Sequence, residues 1–232
     1  MNQTKKILFV LIAILLTGTA TALAAAVPNG DFERGNFSGW QTKSNGGGSW
    51  SVYDASEREL PGPPGASPLA PRPLGKYASK LEQDDPGTNY LTRTLFIPRS
   101  ATNLSVKLFW INRGGAAPPV PGSASQRAVT GFWRFPGIWS TSGDDIQFFR
   151  LDIVKPGAGG FTTEDSDILA TLFAPTIGST PARSGGWKTK RINVSRFQGE
   201  KIKLRLVEGD NRGFLNVGLD RLRLLSASPP TG

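Results

Sequence analysis

The amino-acid sequence predicts an all-β fold behind an N-terminal leader. Three observations predict it. Several short apolar runs alternate with polar residues at a two-residue period. The 28 glycines and 18 prolines fall between short apolar runs, which is the punctuation of an antiparallel sandwich or barrel. After the leader no segment carries a helical period, and no solenoid-type repeat is present.

The elements follow in chain order. Residues 1–26 read as a signal peptide: Lys5 and Lys6, an apolar run from Ile7 to Leu16, then the small residues Ala22-Leu23-Ala24 and Ala24-Ala25-Ala26. An uncleaved anchor is the alternative, because the uncharged run continues to Ala26, about the length of a membrane span. In both cases the rest of the chain is expected outside the cytoplasm, periplasmic or extracellular. The folded domain is expected over 27–225, opening with "VPNGDFERGNFSGW". There Asp31 and Glu33 stand two apart, so on a first strand their carboxylates share a face.

Strands are expected near Trp50–Asp54, Lys76–Glu82 and Leu91–Ile97. In "LSVKLFWIN", Leu104, Val106, Leu108 and Trp110 share a face; in "FRLDIV", Phe149, Leu151 and Ile153 oppose Arg150 and Asp152. Strands near Ile168–Phe173 and Trp187–Val194 precede "KIKLRLVE", where Ile202, Leu204 and Leu206 alternate with Lys201, Lys203 and Arg205. The last strand, Asn216–Leu224, breaks its alternation. Val217 and Leu219 have one parity, Leu222 and Leu224 the other, which predicts a β-bulge at Asp220.

Two stretches are irregular. The proline-rich 59–75 cannot be a central strand. The insertion at 112–145 is of a length that is usually functional or disordered. Within it "GFWRFPGIW" carries Trp133, Arg134, Phe135 and Trp139. Aromatic rings on a loop stack on sugar faces or on a protein partner, and Arg134 suits a carboxylate or phosphate. The alternative is a small satellite core that pins the loop as a lid. Residues 226–232 read as a flexible tail.

Composition narrows the chemistry. The absence of cysteine excludes disulfides, thiolate zinc sites and a cysteine nucleophile. The absence of histidine removes the usual general base and the common serine triad. Asp144, Asp145, Asp152, Glu164 and Asp165 are candidates for the carboxylate pair of glycoside hydrolysis, but such acids are common in loops, and with no histidine, nucleophile motif or phosphate loop no catalytic activity is expected. The 27 Lys and Arg against 18 Asp and Glu give a net charge of +9. That favours a polysaccharide or an anionic cell-surface polymer as partner; for an exported chain nucleic acid is not expected.

The order "NGDFERGNFSGW", "GKYASKLEQDDPGTNYLTRTLFIP", "FFRLDIVKPG" and "GGWKTKRINVSRFQGEKIKLRLVEGDNRGFLNVGLDRLRL" resembles the galactose-binding-like superfamily, in particular bacterial secreted carbohydrate-binding modules. The resemblance covers most of Asn29 to Leu224. It implies an antiparallel two-sheet jelly-roll β-sandwich in which the first strand pairs with the last. Trp40, Trp50 and Trp187 follow the placing of aromatics in such domains. The insertion departs from the compact modules, and Lys190 stands where an apolar residue is usual. Many domains of this type hold a structural calcium ion where the end strands meet. The resemblance therefore implies a calcium site of Asp31, Glu33 and Asp220, with backbone carbonyls near Lys80 or Gly218, a donor set that suits a hard cation. The alternative is that Asp31 caps a turn and Glu33 pairs with Arg221 or Arg223. The function expected is a non-catalytic exported binding module for a carbohydrate or other surface polymer. A structural or adhesion-type surface protein without sugar specificity is the alternative.

Overall fold

The alternating runs form strands, and the strands form two antiparallel sheets. The computed structural model describes residues 24–62, 65, 68–112, 147–162, 164–174, 184–210 and 214–226. The strands are β1 (Ala24–Ala26), β2 (Gln41–Gly46), β3 (Ser49–Tyr53), β4 (Ala78–Glu82), β5 (Gly87–Phe96), β6 (Ala101–Asn112), β7 (Gln147–Val154), β8 (Ile168–Phe173), β9 (Lys188–Asn193), β10 (Lys201–Asp210) and β11 (Leu215–Ser226). One sheet has the order β1-β11-β6-β9 and the other β2-β5-β10-β7-β8, while β3 and β4 pair as a ribbon. The all-β antiparallel sandwich is as the sequence predicts. Two strands were not legible. The β2 residues "QTKSNG" lie almost wholly exposed on a sheet edge, so no apolar alternation marks them. Ala24–Ala26, inside the expected leader, pair with Arg223–Leu225 of β11.

The core lies between the sheets. Leu104, Val106 and Leu108 of β6 meet Phe149, Leu151 and Ile153 of β7 and Ile202, Leu204 and Leu206 of β10, all fully buried. Each such side chain stabilises the fold by roughly 1.5–3 kcal/mol relative to exposure. Lys190 also points inward, opposite Val106. Its ammonium stands 3.3 Å from the Phe173 ring centroid and 5.6 Å from that of Trp110. The aromatic faces accommodate the cation at an apolar position, although burial, and then Lys188, lower its pKa.

The bulge falls where the broken alternation places it. Pairing of β11 with β6 shifts between Asp220 and Arg223. Arg221 takes a left-handed φ of 50° there. As a result Leu219 and Leu222 both face the core.

The opening segment is a correction to the expected first strand. Residues 28–39 form turns, and Asn29 and Phe32 have φ of 53° and 59°. Asn29 holds the loop: Nδ2 donates to the carbonyls of Asn36 (2.9 Å) and Ser38 (3.0 Å). The Arg34 N–H donates to Asn29 Oδ1 at 3.3 Å. Phe32 is thereby inserted into the core, stacked on Trp40 with centroids 5.0 Å apart. The same-face argument for Asp31 and Glu33 fails because it needs extended backbone. Gly30 packs against the bulge so closely that a Cβ would lie 2.6 Å from the Leu222 carbonyl oxygen.

Each outward sheet face is partly covered. Over the four-stranded sheet, Phe109 and Ile111 join Tyr53, Leu60, Ala70 and Ala78 in a second, smaller core. Trp187 closes it edge-on to Phe109, with its Nε1 donating to the Arg72 carbonyl at 2.8 Å. The proline-rich stretch is thus a cover rather than a strand. Over the five-stranded sheet, Phe161 meets Tyr90 edge to face at 4.7 Å. Arg205 donates to the Thr162 carbonyl at 2.5 Å. Among the described residues no helix is long and apolar enough to cross a membrane.

Candidate functional site

Glu33 stands close enough to Asp220 to raise its pKa, but among the described residues the three acids expected to bind calcium do not form a group placed to hold a metal. Asp31 is exposed and its Oδ1 accepts the Glu33 N–H at 3.4 Å, the turn cap of the alternative reading. Glu33 pairs with neither Arg221 nor Arg223. Its carboxylate accepts the Lys76 N–H at 2.9 and 3.1 Å and the Tyr77 N–H at 3.1 Å. Asp220 is buried; its Oδ2 accepts the Leu74 N–H at 3.0 Å and its Oδ1 the Arg221 N–H at 2.6 Å. The Arg221 guanidinium donates to the Leu74 carbonyl beside it. Burial pushes the Asp220 carboxyl up to about 6, against the pull of these donors. Glu33 and Asp220 therefore clamp the 74–77 segment from two sides. Amide hydrogens point at the oxygens a cation would use, and a guanidinium already supplies positive charge. The residues present do not fit the ion, and among the described residues no cluster of three or more acids is placed to hold a metal.

A polar pocket lies on the outward face of the β3–β4 ribbon. It has a volume of about 460 Å³ and is lined by Ser51, Tyr53, Ser56, Glu57, Glu59, Lys80 and Glu82 among others. Strand alternation builds it. Leu81 and Trp50 turn toward the core, so Lys80, Glu82 and Ser51 turn outward. The Lys80 ammonium forms the floor: Nζ donates to the carbonyls of Glu57 (2.6 Å) and Glu59 (2.9 Å) and pairs with Glu82 Oε1 at 2.7 Å. Ser51 Oγ donates to the same Glu82 oxygen at 3.1 Å. Tyr53 underlies Lys80, its ring centroid 5.3 Å from Nζ, and donates its hydroxyl to the Pro71 carbonyl at 2.7 Å. Burial first, and then the charge of Asp220, raise its phenol pKa. Glu57 and Glu59 are exposed at the rim. No hydrogen bond within the described residues engages either carboxylate. Free carboxylates above a floor whose ammonium is already fully engaged can accept hydrogen bonds from hydroxyl groups, but the arrangement holds no activated nucleophile or oriented base. The sequence signal was the outward parity of Lys80 and Glu82 around buried Leu81. Nothing in the sequence links that pair to Glu57 and Glu59.

A second group of polar residues escaped the sequence reading. Glu208 shares the inward parity of Ile202, Leu204 and Leu206, and it is fully buried opposite Asn89. Asn89 Nδ2 donates to Glu208 Oε2 at 2.9 Å and to Gln83 Oε1 at 2.5 Å. Among the described residues Glu208 Oε1 and Asn89 Oδ1 have no hydrogen-bond partner. Burial, reinforced by Asp210, holds the Glu208 carboxyl well above the ordinary range.

Trp133, Arg134, Phe135 and Trp139 lie outside the described residues.

No family model matches the sequence, and no curated protein matches it. Solved structures of similar β-sandwich fold do. A family 61 carbohydrate-binding module in complex with β-1,4-galactotriose has 14% identity and a TM-score of 0.46, covering 87% of this chain and 97% of its own. The K1 cleaved adhesin domain of Lys-gingipain from Porphyromonas gingivalis W83 has 12% identity and a TM-score of 0.44, covering 89% of this chain and 99% of its own. An apo-form cyclase from Fischerella sp. has 16% identity and a TM-score of 0.41, covering 92% of this chain and 100% of its own.

Proposed function

We propose that the protein is a non-catalytic, exported binding module whose β3–β4 pocket takes an uncharged carbohydrate. The observation that carries this is the pocket itself: Glu57 and Glu59 stand free at the rim above the Lys80–Glu82 floor. Neighbouring sugar hydroxyls are donors and acceptors at once. The free carboxylates of Glu57 and Glu59 accept from them, while the three N–H donors of Lys80 stay engaged by Glu57, Glu59 and Glu82 and hold the floor in place. Three carboxylates around one lysine disfavour an anionic sugar at this position. The signal-peptide order of the first 26 residues supports export. Trp133, Arg134, Phe135 and Trp139 belong to this reading as polymer-contacting residues on the grounds of their side-chain chemistry alone.

The test is affinity electrophoresis of the protein through a panel of neutral polysaccharides. At least one is expected to retard it. The double variant Glu57→Gln, Glu59→Gln is expected to lose about tenfold in affinity, the equivalent of one or two good hydrogen bonds, with its melting temperature unchanged. If no neutral polysaccharide retards the protein, or if the variant is retarded equally, the pocket is not a sugar site.

A further inference from the structure

The outward face of the four-stranded sheet is covered over one half only. The proline-rich segment lies on Phe109 and Ile111 and stops at Leu74, where Arg221 and Asp220 anchor it. Beyond that line no described segment covers the sheet, and its face is basic. A depression of about 150 Å³ there is lined by Lys107, Arg191, Arg221 and Arg223, with the hydroxyls of Ser105 and Thr189 between them, and among the described residues no acidic side chain lines it. Register explains the cluster. Arg223 lies opposite Ser105, and Ser105 opposite Arg191, so one row crosses three strands. The two guanidiniums start about 10 Å apart, two strand spacings. In the next row Lys107 lies opposite Thr189 and donates to its Oγ1 at 2.6 Å. The acid that pairs with Lys107 in β11 is Asp220, and it is turned beneath Leu74 with its own donors. Arg191 and Arg223 are exposed, and among the described residues neither makes a hydrogen bond or ion pair.

We infer that this half-face is a second binding surface, for a carboxylated polysaccharide lying across the strands. A planar guanidinium matches a carboxylate in bidentate fashion, and the row offers two such forks with a hydroxyl between. Asp220 offsets Arg221, so Lys107, Arg191 and Arg223 are the cations left without an acid among the described residues, and an anion relieves their mutual repulsion. The chemistry selects among polyanions. The depression has no aromatic ring on which bases stack, as single-stranded nucleic acid would need. Leu225 is its only apolar lining residue, too little to enter a lipid surface. Carboxylates along a hydrophilic chain remain. This surface is separate from the β3–β4 pocket, so either can fail without the other.

The experiment is affinity electrophoresis of the protein through polygalacturonate at about 50 and about 300 mM salt. Duplex DNA, single-stranded DNA and phosphatidylglycerol vesicles serve as competing probes. Three double variants are compared with the wild type: Arg191→Ala with Arg223→Ala, Lys43→Ala with Lys201→Ala, and Glu57→Gln with Glu59→Gln. The lysine pair is exposed outside this face and removes equal charge. The expected result is retardation by polygalacturonate that weakens with salt, falls about tenfold in the arginine variant, and holds in the other two. Absence of retardation overturns the inference, as does an equal loss in the lysine variant, which would mean net charge alone. Tighter binding to either DNA or to the vesicles overturns it in favour of that partner.

Discussion

Arg205 Nη2 donates to Asp152 Oδ2 at 2.8 Å, with the two side chains 2% and 0% exposed. Arg150 and Thr171 donate to the other Asp152 oxygen at 3.0 and 2.8 Å. The pair ties β10 to β7 beneath the 155–162 cover. Breaking a buried ion pair strands the remaining charge, so Asp152→Ala is expected to lower stability by about 3–5 kcal/mol in urea denaturation. The double variant Asp152→Leu, Arg205→Met removes both charges and is expected to lose less. If the double variant loses as much as the single one, the pair contributes through packing rather than charge.

Glu208 predicts an unusual pH dependence. Its folded pKa is raised, chiefly by burial. The folded state therefore keeps a proton that the unfolded chain releases near its ordinary value of 4.5. The stability from this group is full below that value and is lost as pH rises toward the folded pKa. Glu208→Gln holds no such proton. The expected result is that melting temperature, followed from about pH 5 to about pH 7, declines less with pH in the variant than in the wild type. Parallel curves would mean that Glu208 is ionised in the fold.

The 74–77 clamp predicts the response to calcium. An ion that binds only the folded state raises the melting temperature by mass action. Asp220 is already satisfied by two amides beside the Arg221 guanidinium, so melting curves in excess calcium and in chelator are expected to coincide. Asp220→Ala leaves the Leu74 N–H without its acceptor and is expected to cost about 1–3 kcal/mol in either medium. A rise with calcium that Asp220→Ala abolishes would restore the ion.

The aromatic run of the insertion has its own forecast. If it contacts the ligand, the double variant Trp133→Ala, Trp139→Ala keeps its melting temperature and loses polysaccharide retention. That is the expected outcome in differential scanning calorimetry and affinity electrophoresis. A stability loss of about 3–5 kcal/mol per ring would instead mark the rings as a packed lid.

The sequence by itself determined the strands and their inward faces, because a strand's faces depend only on neighbours two residues away. Leu104, Val106 and Leu108, and likewise Ile202, Leu204 and Leu206, are buried as their alternation says. The parity break in the last strand is the β11 bulge. Glu208, missed in the sequence, carries a local signal as an acid on an apolar parity, whereas its partner Asn89 carries none. Where local information ends, so did the reading. Asp31 and Glu33 share a face only on an extended strand, whereas Asn29 bends that segment into turns through hydrogen bonds to residues 34, 36 and 38.

Only the tertiary structure decided what the charged residues do. Asp220 meets Leu74 across 146 positions and Glu33 meets Lys76 across 43. The path of the proline-rich cover, not any spacing, brings those partners together. The same cover, anchored by Arg221, stops short of Lys107, Arg191 and Arg223, which no described segment covers. It lies near Lys80, over which the backbone of Glu57 and Glu59 closes. Alternation assigns a side chain to a face. Which strands become neighbours, and which loop crosses that face, is set by long-range packing that no local period encodes.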